Sequence, residues 1–186
     1  MSSVSIFDVS QLEGMRAALF YFMIYSFLGW MLENSFNFFT KGKFLKDNFL
    51  YGPFKPMYGF APLLLVLLAA PDLHWGLVLC FVIPTAVEYV SGALLKKLFN
   101  QQWWDYSDKR FQLHGHICLP FSICWTVLSL IFLEWIHPAA INVYEAVNPY
   151  WNWVWSAVGL YFLADLVLTV RRHAIANLVI EEIHSE

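Results

Sequence analysis

The sequence has little charge, and that scarcity decides its class. Only 13% of its 186 residues are Asp, Glu, Lys or Arg, about half the share that is typical of soluble domains. Hydrophobic residues make up 59%. This composition excludes an ordinary soluble domain and predicts an integral membrane protein whose main partner is the lipid bilayer. A net charge of −3 without a basic block indicates no nucleic-acid partner.

The sequence also has few cysteines and no nucleotide-binding or hydrolase motif. Cys80, Cys118 and Cys124 all lie in apolar runs, where thiols behave as small hydrophobic groups, so we expect no disulfide framework. There is no Walker A loop and no Gly-x-Ser-x-Gly elbow. His114 and His116 form an isolated His-x-His pair, which is a weak metal signal. We therefore expect no cofactor, no metal site and no ATP hydrolysis by the chain itself.

Five apolar segments are long enough, or nearly so, to cross a bilayer as helices. A crossing helix needs about 20 apolar residues, and the segments are residues 17–39, 56–71, 75–95, 117–136 and about 150–170. The second is the weakest, because as a helix it would cover only roughly 24 Å; its Gly and Pro residues also fit a re-entrant element. The sequence predicts an all-α bundle of about five spans in residues 1–172, followed by a short helical tail at 173–186.

Basic residues are concentrated on one side of this predicted bundle. Of the eleven Lys and Arg residues, all but Arg16 follow the first, third or fifth span. Because positively charged loops remain in the cytoplasm, we expect the N-terminus outside the cell and the C-terminus and tail in the cytoplasm. The first fifteen residues lack the basic region and cleavage site of a signal peptide.

Two carboxylates lie inside the apolar segments, Glu33 in the first and Glu88 in the third. An intramembrane acid costs about 2.5–3.5 kcal/mol on insertion scales, and such residues usually have a function. Helical spacing places four polar side chains on one face of the first span: Ser26, Trp30, Glu33 and Asn37. Such a stripe faces protein or water, so we expect one inward-facing acidic site in the cytoplasmic half of the bilayer. The alternative is that both acids only hold the helices together.

The segment between the third and fourth spans is the other region that is rich in polar and aromatic residues. Trp104, Asp105, Tyr106 and His114 lie in it, and the predicted orientation puts it on the cytoplasmic side. The acidic site would therefore lie beneath Trp104, Asp105 and Tyr106. The alternative for Asp105 is a helix cap or an interfacial anchor.

Several of these motifs occur together in a known family. They are residues 25–33 (YSFLGWMLE), 52–60 (GPFKPMYGF), 88–89 (EY) and 103–107 (WWDYS). In their order and spacing, residues 17–135 resemble the putative ABC-transporter type IV family of CmpB-like permeases. The resemblance implies a small multi-pass protein of the bacterial plasma membrane, and it adds Tyr89 to the candidate site residues.

Three functions remain open at this point. The first is a permease-like membrane subunit of an ABC-type transporter, in which Glu33 and Glu88 bind a small-molecule substrate or a proton and a separate ATPase subunit docks on the basic loops. The second is a membrane-embedded enzyme that acts on a lipid or prenyl substrate, with Glu33, Glu88, Asp105 and His114 as acid/base groups. The third is a structural or regulatory subunit without a ligand.

Overall fold

The computed structural model describes residues 12–68 and 72–185, with side chains as far as residue 176. The elements are α1 Leu12–Lys41, α2 Pro56–Leu67, α3 Leu73–Phe99, β1 Gln112–Leu113, β2 Ile117–Cys118, α4 Leu119–Ile131 and α5 His137–Ser185. The all-α prediction is confirmed, with one small addition: β1 and β2 form an antiparallel pair between α3 and α4. The N-terminal residues 1–11, the end of the second predicted span and the tail side chains from 177 onward lie outside the described residues.

Three of the described helices are long and apolar enough to cross a membrane: Leu12–Lys41, Leu73–Phe99 and Leu119–Ala176. Helix α2 is a shorter apolar helix. A π-helical turn, Phe132–Ile136, joins α4 to α5 without a break, so the residues between the fourth and fifth predicted spans are helical. Residues 132–148 contain no glycine and several good helix formers.

This long helix reverses its direction along α1. Three contacts follow its path in chain order: Tyr25 with His137, Arg16 with Trp151, and Phe22 with Phe162. A straight helix would place residues 137 and 162 roughly 37 Å apart, whereas Tyr25 and Phe22 lie about one turn apart on α1. The helix therefore bends between these contacts, and Pro149 lies within that stretch.

Helices α1 and α2 pack very closely, because glycines remove the side chains at their crossing. A Cβ atom on Gly29 would overlap the ring of Tyr58, and one on Gly59 would overlap Ser26 Oγ. Small residues allow this approach between helices in membranes. It brings Tyr58 against the middle of α1, beside the polar stripe.

The connection between α1 and α2, residues 42–55 (loop 1), folds back along α1 into the bundle. The backbone N–H of Lys46 donates to Asn34 Oδ1 at 2.8 Å, and that of Lys55 donates to the carbonyl oxygen of Ser26 at 3.1 Å. Asp165 of α5 accepts hydrogen bonds from two further loop 1 amides, those of Tyr51 and Gly52. Non-helical backbone at membrane depth must be satisfied by protein in this way. The second predicted segment is therefore a short helix preceded by extended backbone.

Candidate functional site

Glu33 lies where loop 1 meets α1, and two lysines neutralise it. Lys46 Nζ and Lys55 Nζ both lie 2.8 Å from Glu33 Oε2. The predicted spans contain no Lys or Arg that could neutralise it. Loop 1 supplies two by folding back along α1, and the Lys55 side chain is only 11% exposed.

Glu88 of α3 is more deeply buried and has different partners. It is 3% exposed, and its two oxygens accept hydrogen bonds from the Tyr106 hydroxyl at 3.0 Å and from Trp125 Nε1 at 2.8 Å. Both donors are uncharged. Both salt bridges among the described residues go to Glu33, so Glu88 has no cationic partner there.

Tyr58 lies between the two acids. Its hydroxyl interacts with Glu33 and with Glu88, while its ring packs edge-on against Trp125 with the centroids 5.7 Å apart. The two carboxylates are also close enough to interact electrostatically. Residues from α1, loop 1, α2, α3 and α4 thus meet in one polar cluster inside an otherwise apolar bundle.

The segment between α3 and α4 covers this cluster. Trp104 Nε1 donates to the carbonyl oxygen of His116 at 2.9 Å, and the backbone N–H of Tyr106 donates to that of Gly115. Gly115 has a φ of +72°, a conformation that favours glycine. A Cβ atom at this position would also lie too close to the Asp105 carboxylate. These bonds hold Tyr106 in place with its hydroxyl on Glu88, and burial raises the pKa of Tyr106 well above its usual value.

Asp105 and His114 do not reach the acids. Asp105 is exposed and accepts hydrogen bonds from the backbone N–H and the hydroxyl of Ser107, which lower its pKa. His114 Nδ1 lies 2.9 Å from the Tyr89 hydroxyl. Asp105 therefore shapes a turn, and His114 and Tyr89 form a separate pair between the β1–β2 turn and α3.

The remaining predicted residues are on α1 and contact loop 1 and α2. Ser26 is fully buried against Gly59, Trp30 packs on Phe44 of loop 1, and Asn37 donates to the carbonyl oxygen of Lys43 at 2.6 Å. The sequence interpretation missed four residues of the cluster as site residues: Lys46, Lys55, Tyr58 and Trp125. The family motif at residues 52–60 contains two of them, Lys55 and Tyr58, and was the available signal.

A groove of about 750 Å³ reaches this cluster from the apolar surface. Its walls come from α1, α2, α3 and the α4–α5 helix, and they are mostly aliphatic and aromatic. Leu28, Met31 and Trp135 stand at its edge and are 40%, 41% and 67% exposed. The groove is therefore open at the apolar outer surface of the helices. Glu88, Tyr58 and Trp125 form part of its inner wall.

Apolar helices of this length around a buried ionic cluster define a helical membrane protein. The family described as putative ABC-transporter type IV matches residues 20–170, and the chain belongs to this family. The resemblance in the sequence is thereby confirmed, and the match extends it into α5. No curated protein and no solved structure matches the chain significantly.

Proposed function

We propose that the chain is the membrane subunit of an ABC-type transporter in a bacterial plasma membrane, and that Glu33 and Glu88 form its substrate or proton site. In this proposal the chain crosses the bilayer five times. Loop 1 and α2 form the second crossing, and the bent α4–α5 helix forms the fourth and fifth. The N-terminus is outside and the C-terminus is cytoplasmic.

The observation that carries this proposal is the unequal neutralisation of the two acids. Glu33 has two ammonium groups at 2.8 Å, whereas Glu88 has only an indole and a phenol as donors. The two ammonium groups explain how the bundle holds the charge of Glu33, because an unpaired buried charge is costly, and Glu88 has no such counterion among the described residues. A proton or a cationic group of a substrate would neutralise the Glu88 carboxylate.

The cytoplasmic surface for an ATPase subunit would be the turn between α3 and α4. Lys109, Arg110 and Phe111 are exposed there, and Phe111 is 79% exposed at a φ of +54°. Exposed aromatic residues and arginine are enriched in protein interfaces.

Purification of the tagged full chain from its own cells in mild detergent tests this proposal. We expect a protein with a Walker A motif to co-purify in stoichiometric amount, and the double variant Arg110→Glu, Phe111→Asp to lose it. Glu145→Gln, an exposed carboxylate on α5, serves as the control and should retain it. A correctly folded native chain that purifies without any such ATPase contradicts the proposal.

The groove favours a second candidate, a membrane-embedded enzyme with a lipid or prenyl substrate, because it gives a lipid-soluble molecule access to Glu88. The enzyme hypothesis predicts that the purified chain alone converts a labelled component of its own lipid extract. It also predicts that Glu88→Gln stops the conversion. An unchanged extract after incubation with the native chain excludes this candidate.

A further inference from the structure

Glu88 is the acidic group of the groove. Of the described side chains that line the groove, Glu88 alone carries a carboxylate, and none is Lys, Arg or His. The nearby lysines pair with Glu33, behind Tyr58. A molecule in the groove therefore meets an acid whose described partners are neutral, at the end of an apolar passage from the bilayer. Charge complementarity favours a cation there.

The aromatic side chains of the groove favour the same kind of ligand. Tyr58 and Trp125 flank Glu88, and Phe132 and Trp135 line the wall farther out. The faces of aromatic rings attract cations, most strongly where water is excluded, and they recognise alkylated ammonium groups in particular. A strongly hydrated ammonium would lose more on leaving water than a delocalised or alkylated cation would. The groove therefore suits a cation with a large apolar surface.

We propose that the groove between α1 and the α4–α5 helix binds lipophilic cations, which enter from the bilayer and place their charge beside Glu88 between Tyr58 and Trp125. The inference rests on the proposed function, because it names the class of substrate for the same site. The volume of about 750 Å³ lies within the range of pockets for drug-sized ligands, roughly 300–1,000 Å³.

Two probe ions of the same shape and opposite charge test this inference. Tetraphenylphosphonium and tetraphenylborate are both lipid-soluble and differ mainly in the sign of their charge. In separate samples, we expect the purified full chain in detergent to bind labelled tetraphenylphosphonium saturably and not to bind labelled tetraphenylborate. Equal binding of the two ions would show that the groove selects apolar shape and would overturn the inference.

Variants locate the binding. Glu88→Gln should weaken tetraphenylphosphonium binding about tenfold or more, because it removes the charge and keeps the shape. Ala139→Trp fills the exposed edge of the groove and should also weaken binding, whereas Glu145→Gln should bind like the native chain. Unchanged affinity in a folded Glu88→Gln variant overturns the inference. Should that variant fail to fold, the two ions on the native chain and Ala139→Trp decide the same question.

Failure of this inference and failure of the proposed function give different results. Binding requires only the chain itself, whereas the transporter assignment requires a co-purifying ATPase. If the chain binds the phosphonium ion but purifies without an ATPase, the transporter assignment is contradicted. A chain that co-purifies with an ATPase but does not discriminate the two ions contradicts the ligand class alone.

Discussion

At the scale of single residues, Lys46 and Lys55 contact the same oxygen of Glu33 but differ in burial. The Lys46 side chain is 31% exposed and the Lys55 side chain 11%. Water screens an exposed ion pair and makes it worth little, whereas removal of one partner from a buried pair leaves a charge uncompensated. Lys55 should therefore contribute most of the stabilisation of Glu33.

Replacement of each lysine by methionine tests this difference. We expect Lys55→Met to lower the free energy of unfolding by about 2 kcal/mol, and Lys46→Met by about 0.5–1 kcal/mol. Thermal unfolding of the purified variants in one detergent measures both. Equal losses, or a larger loss for Lys46→Met, would mean that Lys55 is not the main counterion.

The acids could be predicted from the sequence, but their partners could not. Glu33 and Glu88 stand out because each interrupts an apolar run. Lys55 and Trp125 become partners only when loop 1 folds back along α1 and α4 packs against α3, and such long-range contacts leave no periodic signal in the chain. Asp105 and His114 were expected at the site because they lie in the same segment as Tyr106. Their side chains instead bond within that segment and with Tyr89.

At the scale of elements, the approach of α1 and α2 positions Tyr58 between the acids. The approach depends on Gly29, where a Cβ atom would overlap the Tyr58 ring. A Cβ atom on Gly76 in α3 would meet none of the surrounding described residues within 4 Å, so Gly76 offers a matched glycine without a close contact.

Alanine at these two glycines should have opposite effects. Gly29→Ala should cost roughly 2 kcal/mol or more, because overpacking forces α1 and α2 apart. Gly76→Ala should be neutral or stabilising, because alanine favours a helix by about 1 kcal/mol over glycine. Melting temperatures of the two purified variants check this expectation. A stable Gly29→Ala variant would show that α1 and α2 are not in tight contact.

The helices themselves could be predicted largely from hydropathy. The apolar runs at 17–39 and 75–95 lie within α1 and α3, because long uninterrupted runs are the strongest signal of a membrane helix. The weak second segment was ambiguous, because α2 provides only part of the length. Hydropathy did not show that the residues between the fourth and fifth predicted spans are helical, because polar residues such as Asn142 and Glu145 interrupt the apolar pattern there.

At the scale of the whole molecule, the proposed orientation and the bend in the α4–α5 helix together predict which residues face each side of the membrane. Asn152 accepts a hydrogen bond from Arg16, just before the first apolar run, and should lie outside the cell. Asp108 lies in the exposed turn between α3 and α4 and should lie in the cytoplasm.

Cysteine labelling in intact cells checks this topology. In a Cys124→Ser background, a membrane-impermeant maleimide should label Asn152→Cys directly and Asp108→Cys only after permeabilisation. Cys80 and Cys118 are buried and should stay unlabelled in both cases. Labelling of Asp108→Cys from outside would mean that the proposed orientation is inverted.

The central claim is that the intramembrane acidic cluster serves transport and does more than hold helices together. The most direct measurement is ATP hydrolysis by the chain with its co-purifying ATPase in proteoliposomes, with and without tetraphenylphosphonium. The account predicts stimulation of the native complex and of Glu145→Gln, and no stimulation of a Glu88→Gln complex that still assembles. Equal stimulation of the Glu88→Gln complex would contradict the account.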